Sequence, residues 1–164
     1  MNDNKAETIT KKIFIGKTLR IFISYSHRDK RIAGAIKNVF NHYGIEAFLA
    51  HEDIQVGKEW RDTILSNLKQ FDVFVAILSK NFLESEWTNQ EVGFAICKGT
   101  TIIPISIDGT PPSGFLEIFQ GLMNFKYEEH INSLSNEKIL DCEEGVSEII
   151  KIITTRPDLM EGKR

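Results

Sequence analysis

Residues 73–95 read VFVAILSKNFLESEWTNQEVGFA. The first six, Val73 through Leu78, are continuously apolar. That is the pattern of a strand buried on both faces, which belongs in the middle of a parallel sheet. A polar turn, SKNFLE, follows. Ser85 is then placed to cap a helix that carries Trp87, Glu91, Phe94 and Ala95 and stops at Gly99.

Outward from this strand–helix unit, the same alternation repeats. Residues 19–23, LRIFI, predict a strand that ends in the polar turn Ser24-Tyr25-Ser26. In the helix after it, Ile32, Ile36, Val39, Phe40 and Tyr43 share one face of a 3.6-residue period. Ser26 is its predicted N-cap, Asp29 suits its positive end, and Gly44 is its stop. Residues 45–49 predict a second strand, and the loop AHEDIQVGK leads to a helix with Trp60, Ile64, Leu65 and Leu68 on one side. Residues 101–107 predict a fourth strand, 115–119 a short helix or turn, and 122–125 a weak fifth strand. Residues 127–140 are polar and give no clear element. Asp141 is placed to cap a last helix through Val146, Ile149, Ile150 and Ile153, closed by Pro157. Strands alternating with helices in this way indicate a doubly wound parallel sheet with helices on both faces. Ligands of such sheets bind beyond the carboxyl ends of the strands. That edge gathers residues 24–26, the loop after the second strand, the turn 79–85, and Asp108-Gly109.

Composition narrows the field of functions. The 164 residues carry 20 Lys plus Arg against 23 Asp plus Glu, a net charge of −3. No basic surplus suggests a nucleic-acid footprint. No apolar run is long enough for a membrane span, and the start MNDNKAETITKK has no apolar core of a secretory signal. A cytoplasmic location is therefore expected. Cys97 and Cys142 make neither a disulfide framework nor a four-ligand zinc site, and the four histidines lack metal-ligand spacing, so no metal is expected. The expected organisation is one domain over 19–156, with an N-terminal arm at 1–18 and a tail at 157–164.

Several chemistries are absent from the loops. A phosphoacceptor receiver needs acidic residues after the first strand and an aspartate after the third, and here those strands end in Ser24-Tyr25 and Ser79. No phosphate-binding glycine motif follows a strand, and no GxSxG elbow occurs. Trp87 and Glu91 remain. Four residues apart, they stack on one helical face with Phe94 and Ala95. Glu91 is then either a partly exposed residue at the edge of an amphipathic helix or a carboxylate lining a cleft beside an aromatic platform. The second arrangement suits cleavage of the nicotinamide–ribose bond of NAD+. The leaving pyridinium departs neutral and needs no general acid, so one carboxylate can stabilise the oxocarbenium-like transition state.

Four stretches carry a resemblance: RIFISYSHRDK (20–30), FLAHEDIQVGKEW (48–60), the 73–95 stretch with Ser85, Trp87 and Glu91 in an S-x-W-x-x-x-E pattern, and TIIPISIDG (101–109). In this order and spacing they resemble a TIR (Toll/interleukin-1 receptor) domain of the prokaryotic, NAD-consuming kind, over about 19–126. The resemblance implies a flavodoxin-like α/β sheet of five mainly parallel strands. It implies that Glu91 is the catalytic glutamate of an NAD+ glycohydrolase or cyclase, giving nicotinamide with ADP-ribose or a cyclic isomer. Trp87 then lies beside the substrate, and Tyr25 and Ser26 fall where the first loop approaches NAD+. Asp53 and Gln55 fall in the loop that covers the site and meets a neighbouring protomer, and Trp60 is read as core packing. No cofactor beyond NAD+ as substrate is implied. One departure is Ala50, which stands where several family members close the second strand with an acidic residue.

The resemblance extends to the TIR component of Thoeris-type antiphage systems. That implies a product signal for a separate effector, and a homo-oligomer built through TIR–TIR contacts that raises the rate. A domain of this size is expected to take its trigger from another molecule. The alternatives are a non-catalytic TIR–TIR interaction module and a nucleoside ribosyl- or deoxyribosyltransferase.

Overall fold

A computed structural model describes residues 18–50 and 60–156, with the side chains of residues 60 and 61 outside the description. Four parallel strands form the sheet: β1 (Arg20–Ser24), β2 (Glu46–Leu49), β3 (Val73–Leu78) and β4 (Thr101–Ser106), in the order β2-β1-β3-β4. The helices between them are α1 (Lys30–His42), α2 (Trp60–Gln70), the single turn α3 (Lys80–Leu83) and α4 (Glu86–Lys98). A hairpin of β5 (Glu128–Ile131) and β6 (Lys138–Asp141) leads to the last helix, α5 (Glu143–Thr154). This is the doubly wound order expected of a flavodoxin-like sheet. The chain reverses direction between β1 and β3, which makes their carboxyl ends the switch point.

Every residue of β3 and β4 is buried, as the apolar run at 73–78 predicts. Strand alternation divides these residues between two cores. Ile21, Ile23, Val73, Val75, Ile77, Ile103 and Ile105 pack with α1 and α5. Phe22, Phe74, Ala76, Leu78 and Ile102 pack with α2 and α4. The walls of the second core are tied together by Lys98 of α4. Its ammonium donates to the carbonyls of Leu68 (3.0 Å) and Phe71 (2.7 Å) at the end of α2, where the last carbonyls of a helix lack intrahelical partners.

Three details depart from the sequence expectations. The fifth strand shrinks to one parallel bridge, Ile105 with Leu122. Pro104 accepts there from the Leu122 N–H at 2.9 Å but offers no N–H of its own on that edge. Gly121 runs so close beside it that a Cβ would lie 1.9 Å from the Pro104 carbonyl oxygen. Second, Ser26 does not cap α1. A 3-10 turn at His27–Asp29 intervenes, and Asp29 turns its carboxylate away from the helix toward the β3 loop. Third, the polar stretch after 127 forms the antiparallel hairpin β5–β6. Ser85 and Gly99, by contrast, bound α4 as read: Ser85 Oγ accepts from the Thr88 N–H, and Gly99 has φ 74°. Gly44 likewise takes φ 72° after α1. Among the described residues no helix is long and apolar enough to cross a membrane.

Candidate functional site

The site begins with a step in the sheet surface on the α2/α4 side. Phe22 of β1 and Phe74 of β3 are in register, with rings stacked at 5.5 Å. Two residues further toward the carboxyl end the register pair is Ser24 and Ala76. The loss of two aromatic rings leaves room above the strand ends, and Glu91 of α4 occupies it. Its side chain is buried, with 3% of its surface exposed. Ser24 Oγ donates a 2.5 Å hydrogen bond to Glu91 Oε2. Glu91 Oε1 has no hydrogen-bond partner among the described residues. Burial pushes the carboxyl up to about 7, against the opposing pull of the Ser24 hydrogen bond. A buried carboxylate with one idle acceptor is costly to maintain, which favours the cleft reading of Glu91 over the edge-of-helix reading.

A cavity of about 370 Å³ opens beside it, lined by Ile64, Leu65 and Leu68 of α2 and by Trp87, Gln90, Glu91 and Phe94 of α4. That volume is within the range of small-ligand pockets. Trp87 is 36% exposed and shares the cavity with Glu91, so the i, i+4 pair is brought together as its spacing predicts. Ala50 is fully buried with the same apolar cluster. Glu91 is thereby the only titratable side chain among the cavity's described lining residues. A larger concavity of about 1000 Å³ lies between α1 and β6, on the far side of the sheet from Glu91. Chemistry rather than size selects the smaller one, because it holds the buried carboxylate and the aromatic face.

The loops around this edge are fixed by their own polar network. Asp29 Oδ2 accepts from Ser79 Oγ at 2.5 Å, and Oδ1 accepts from Asn81 Nδ2 at 3.1 Å. Ser79 Oγ accepts in turn from the Phe82 N–H, capping α3. Asp108 accepts from the backbone N–H groups of Lys80 (3.1 Å) and Thr110 (3.0 Å); against the desolvation that would raise it, the Thr110 side chain first and then these backbone bonds hold its carboxyl below the usual range. The turns after β1, β3 and β4 are thus linked across the switch point.

The other expected site residues fare differently. Tyr25 is fully buried and belongs to the α1/α5 core, so its ring is packed away from the Glu91 cavity. The physical reason is strand parity: Tyr25 continues the Ile21, Ile23 series. Ser26 is buried beside the 3-10 turn, its carbonyl accepting from the Asp29 N–H, and it does not line the cavity. Asp53 and Gln55 lie outside the described residues, as does the Trp60 side chain. Ser24 is the member that sequence reasoning passed over. Its signal was available: it is polar at a position whose parity, set by Phe22, faces α4. Among the described residues no cluster of three or more His, Cys, Asp or Glu could hold a metal ion.

A doubly wound parallel sheet with helices on both faces defines a flavodoxin-like α/β domain. The chain belongs to the TIR domain family, whose model matches residues 21–135. It is similar to a protein of Methanobrevibacter olleyae described as probable 2′ cyclic ADP-D-ribose synthase TcpO, with 28% identity over 156 residues. That alignment takes in 93% of this chain and 42% of the relative, so the chain spans less than half of the relative's length. Among solved structures it resembles the TIR domain of the Toll-related receptor TRR-2 from Hydra magnipapillata. The TM-score is 0.55 at 17% identity, covering 62% of this chain and 81% of that one, a likeness of fold.

Proposed function

We propose that this TIR domain cleaves the nicotinamide–ribose bond of NAD+, with Glu91 as the catalytic carboxylate and Trp87 as the adjoining aromatic surface. The carrying observation is Glu91 itself: buried at the switch point, held through Oε2 by Ser24, and without a donor to Oε1 among the described residues. The name of the Methanobrevibacter relative supports an NAD-consuming reading.

In the reaction the C1′–N bond breaks, and its electron pair leaves with the ring as neutral nicotinamide. The positive charge passes to the ribosyl group, whose C1′ and ring oxygen share it. An ionised Glu91 beside that group stabilises the charge as it develops, and a low-dielectric wall of Ile64, Leu65, Leu68 and Phe94 strengthens the interaction. A water adding at C1′ and losing its proton to solvent gives ADP-ribose. A hydroxyl of the same molecule adding instead gives a cyclic isomer, the outcome to which the relative's name points. The carboxylate acts only when ionised, so substrate binding is also a step in its activation. The pyridinium charge placed near Glu91 favours loss of the proton that burial retains.

The wider role we propose is a signal in antiphage defence, read by a separate effector and raised by TIR–TIR assembly. It rests on the resemblance of the four motifs. The direct test is nicotinamide release from NAD+ with mass spectrometry of the products, at rising protein concentration and with a crowding agent. Wild-type protein is expected to release nicotinamide, and Glu91→Gln to lose at least about a thousandfold in rate. Absence of release from wild type under every condition, together with binding to another TIR domain unaffected by Glu91→Ala, would overturn the enzyme reading in favour of an interaction module.

A further inference from the structure

We propose that Ser24 is the positioning residue of Glu91: its hydroxyl holds Oε2 and leaves Oε1 as the oxygen that meets the hydroxyls of the substrate ribose. The proposal rests on the reading of Glu91 as the carboxylate of NAD+ cleavage.

The geometry assigns the two oxygens different work. A carboxylate side chain on a helix can rotate about its last torsion, which is broad and roughly two-fold. Among the described residues, Ser24 is the hydrogen-bonding neighbour that restrains it. Ser24 Oγ approaches Oε2 to 2.5 Å, at the short end of O–H···O contacts. Ser24 cannot wander, because it is the last residue of β1, has no exposed surface, and is in register with Ala76 of β3. The donor thus stands on a central strand and the acceptor on α4, so the bond fixes the carboxylate relative to the sheet. Oε1 is equally shielded from solvent but has no donor among the described residues. A buried acceptor without a donor costs free energy in the free protein. Vicinal hydroxyls of a ribose are donors of the right kind to remove that cost on binding.

The groups that could compete with Ser24 are few. The cavity's described walls offer Ile64, Leu65 and Leu68 from α2, and Trp87, Gln90 and Phe94 from α4; none is charged. From the sheet come Ser24, Ala76 and Leu78, also uncharged. Among the described residues the Ser24 hydroxyl is accordingly the one hydrogen-bonding influence on the ionisation of Glu91. It favours the ionised form that the reaction needs.

The experiment compares wild type, Ser24→Ala, Ser24→Cys and Ser24→Thr in NAD+ cleavage across pH 5.5–9. Cysteine keeps the volume and weakens the donor; threonine keeps the hydroxyl. Ser24→Ala and Ser24→Cys are expected to lose roughly 10- to 100-fold in kcat, the scale of one hydrogen bond to a charged group. The KM should change less, and the lower limb of the kcat/KM profile should move to higher pH. Ser24→Thr should restore a large part of both. An unmoved limb in Ser24→Cys with near-wild-type kcat would overturn the proposal and leave Ser24 as a packing residue. A second readout needs no catalysis: ¹³C NMR titration of the Glu91 carboxyl, assigned by its loss in Glu91→Gln. A higher midpoint in Ser24→Cys supports the hold on the carboxyl; an unchanged midpoint removes it. If wild type cleaves no NAD+ yet the midpoint moves, the enzyme reading fails while the Ser24–Glu91 link stands.

Discussion

The two faces of one sheet are built to opposite ends. On the α1/α5 side the inward positions of β1 and β3 are large and apolar up to the carboxyl edge, with Ile23 and Val75 followed by Tyr25 and Ile77. On the α2/α4 side the same strands step down from Phe22 and Phe74 to Ser24 and Ala76. One face therefore closes over its helices, and the other leaves a volume into which α4 inserts a carboxylate. The larger buried cluster lies on the first face, and the proposed chemistry lies on the second. The strands serve both because side chains alternate between them at every residue. The difference teaches where a site can be afforded: at the end of the strands where small residues make room, on the face whose helix supplies the acid.

The largest effect expected outside catalysis is on the closed face. Phe40 of α1 is fully buried in it. Phe40→Ala is expected to destabilise the fold by about 4 kcal/mol through lost burial and a residual cavity. Chemical denaturation measures that. NAD+ cleavage per folded molecule should change little, since the cavity is on the other side of the sheet. A Phe40→Ala protein that stays stable but loses activity would break the division between faces.

The open face gives a smaller and pH-dependent effect. Glu91 is raised from 4.5 to about 7 in the fold. Between those values the folded protein keeps a proton that the unfolded chain has lost. Stability therefore falls as pH rises through this window, and the penalty is complete above it. The rise corresponds to about 3 kcal/mol. Glu91→Gln removes the titration. The stability difference between variant and wild type should move in the variant's favour by about that amount from pH 4 to pH 8, while activity is lost. Parallel stability curves would show that Glu91 is solvated. The same ionisation predicts that kcat/KM of wild type rises through a limb near pH 7, where the free enzyme loses the Glu91 proton.

How far these faces could be read from sequence follows from the same physics. The run at 73–78 announced β3 because a strand covered on both sides has no polar position to lose. Ser85 and Gly99 announced α4 because its ends need a side-chain acceptor and a left-handed residue. The i, i+4 spacing of Trp87 and Glu91 placed them together, since helical geometry is local. Strand 122–125 was overestimated because its partner edge is decided by Pro104, far away in sequence. The hairpin at 128–141 stayed illegible since its two strands are largely exposed and lack an apolar alternation. Ser26 and Asp29 read as a helix start, but tertiary contact overrode the local preference: Asp29 is drawn to Ser79 and Asn81 across the switch point. The same contact logic hid Ser24, whose role exists only because α4 returns to the end of β1.

The smallest effect belongs to Trp87, and it sharpens what the open face contributes beyond its acid. The ring borders the cavity but keeps 36% of its surface in solvent, so it adds little to the core. Trp87→Ala is expected to cost the fold about 1 kcal/mol, as for a side chain that keeps a third of its surface in solvent. Its effect should fall on binding. An aromatic platform contributes similarly to the ground state and the transition state, because stacking on a ring does not depend on whether the C1′–N bond is intact. Such uniform binding raises KM when it is removed and leaves kcat near its starting value. Loss of one aromatic contact, about 1 to 1.5 kcal/mol, corresponds to roughly a tenfold rise in KM. Trp87→Phe should recover most of it by keeping a flat apolar face. Steady-state kinetics of the two variants separates the alternatives. A fall in kcat comparable to that of Glu91→Gln, with KM unmoved, would mean that Trp87 orients the carboxylate rather than the substrate, and the open face would then be a single cooperative unit instead of an acid beside a platform.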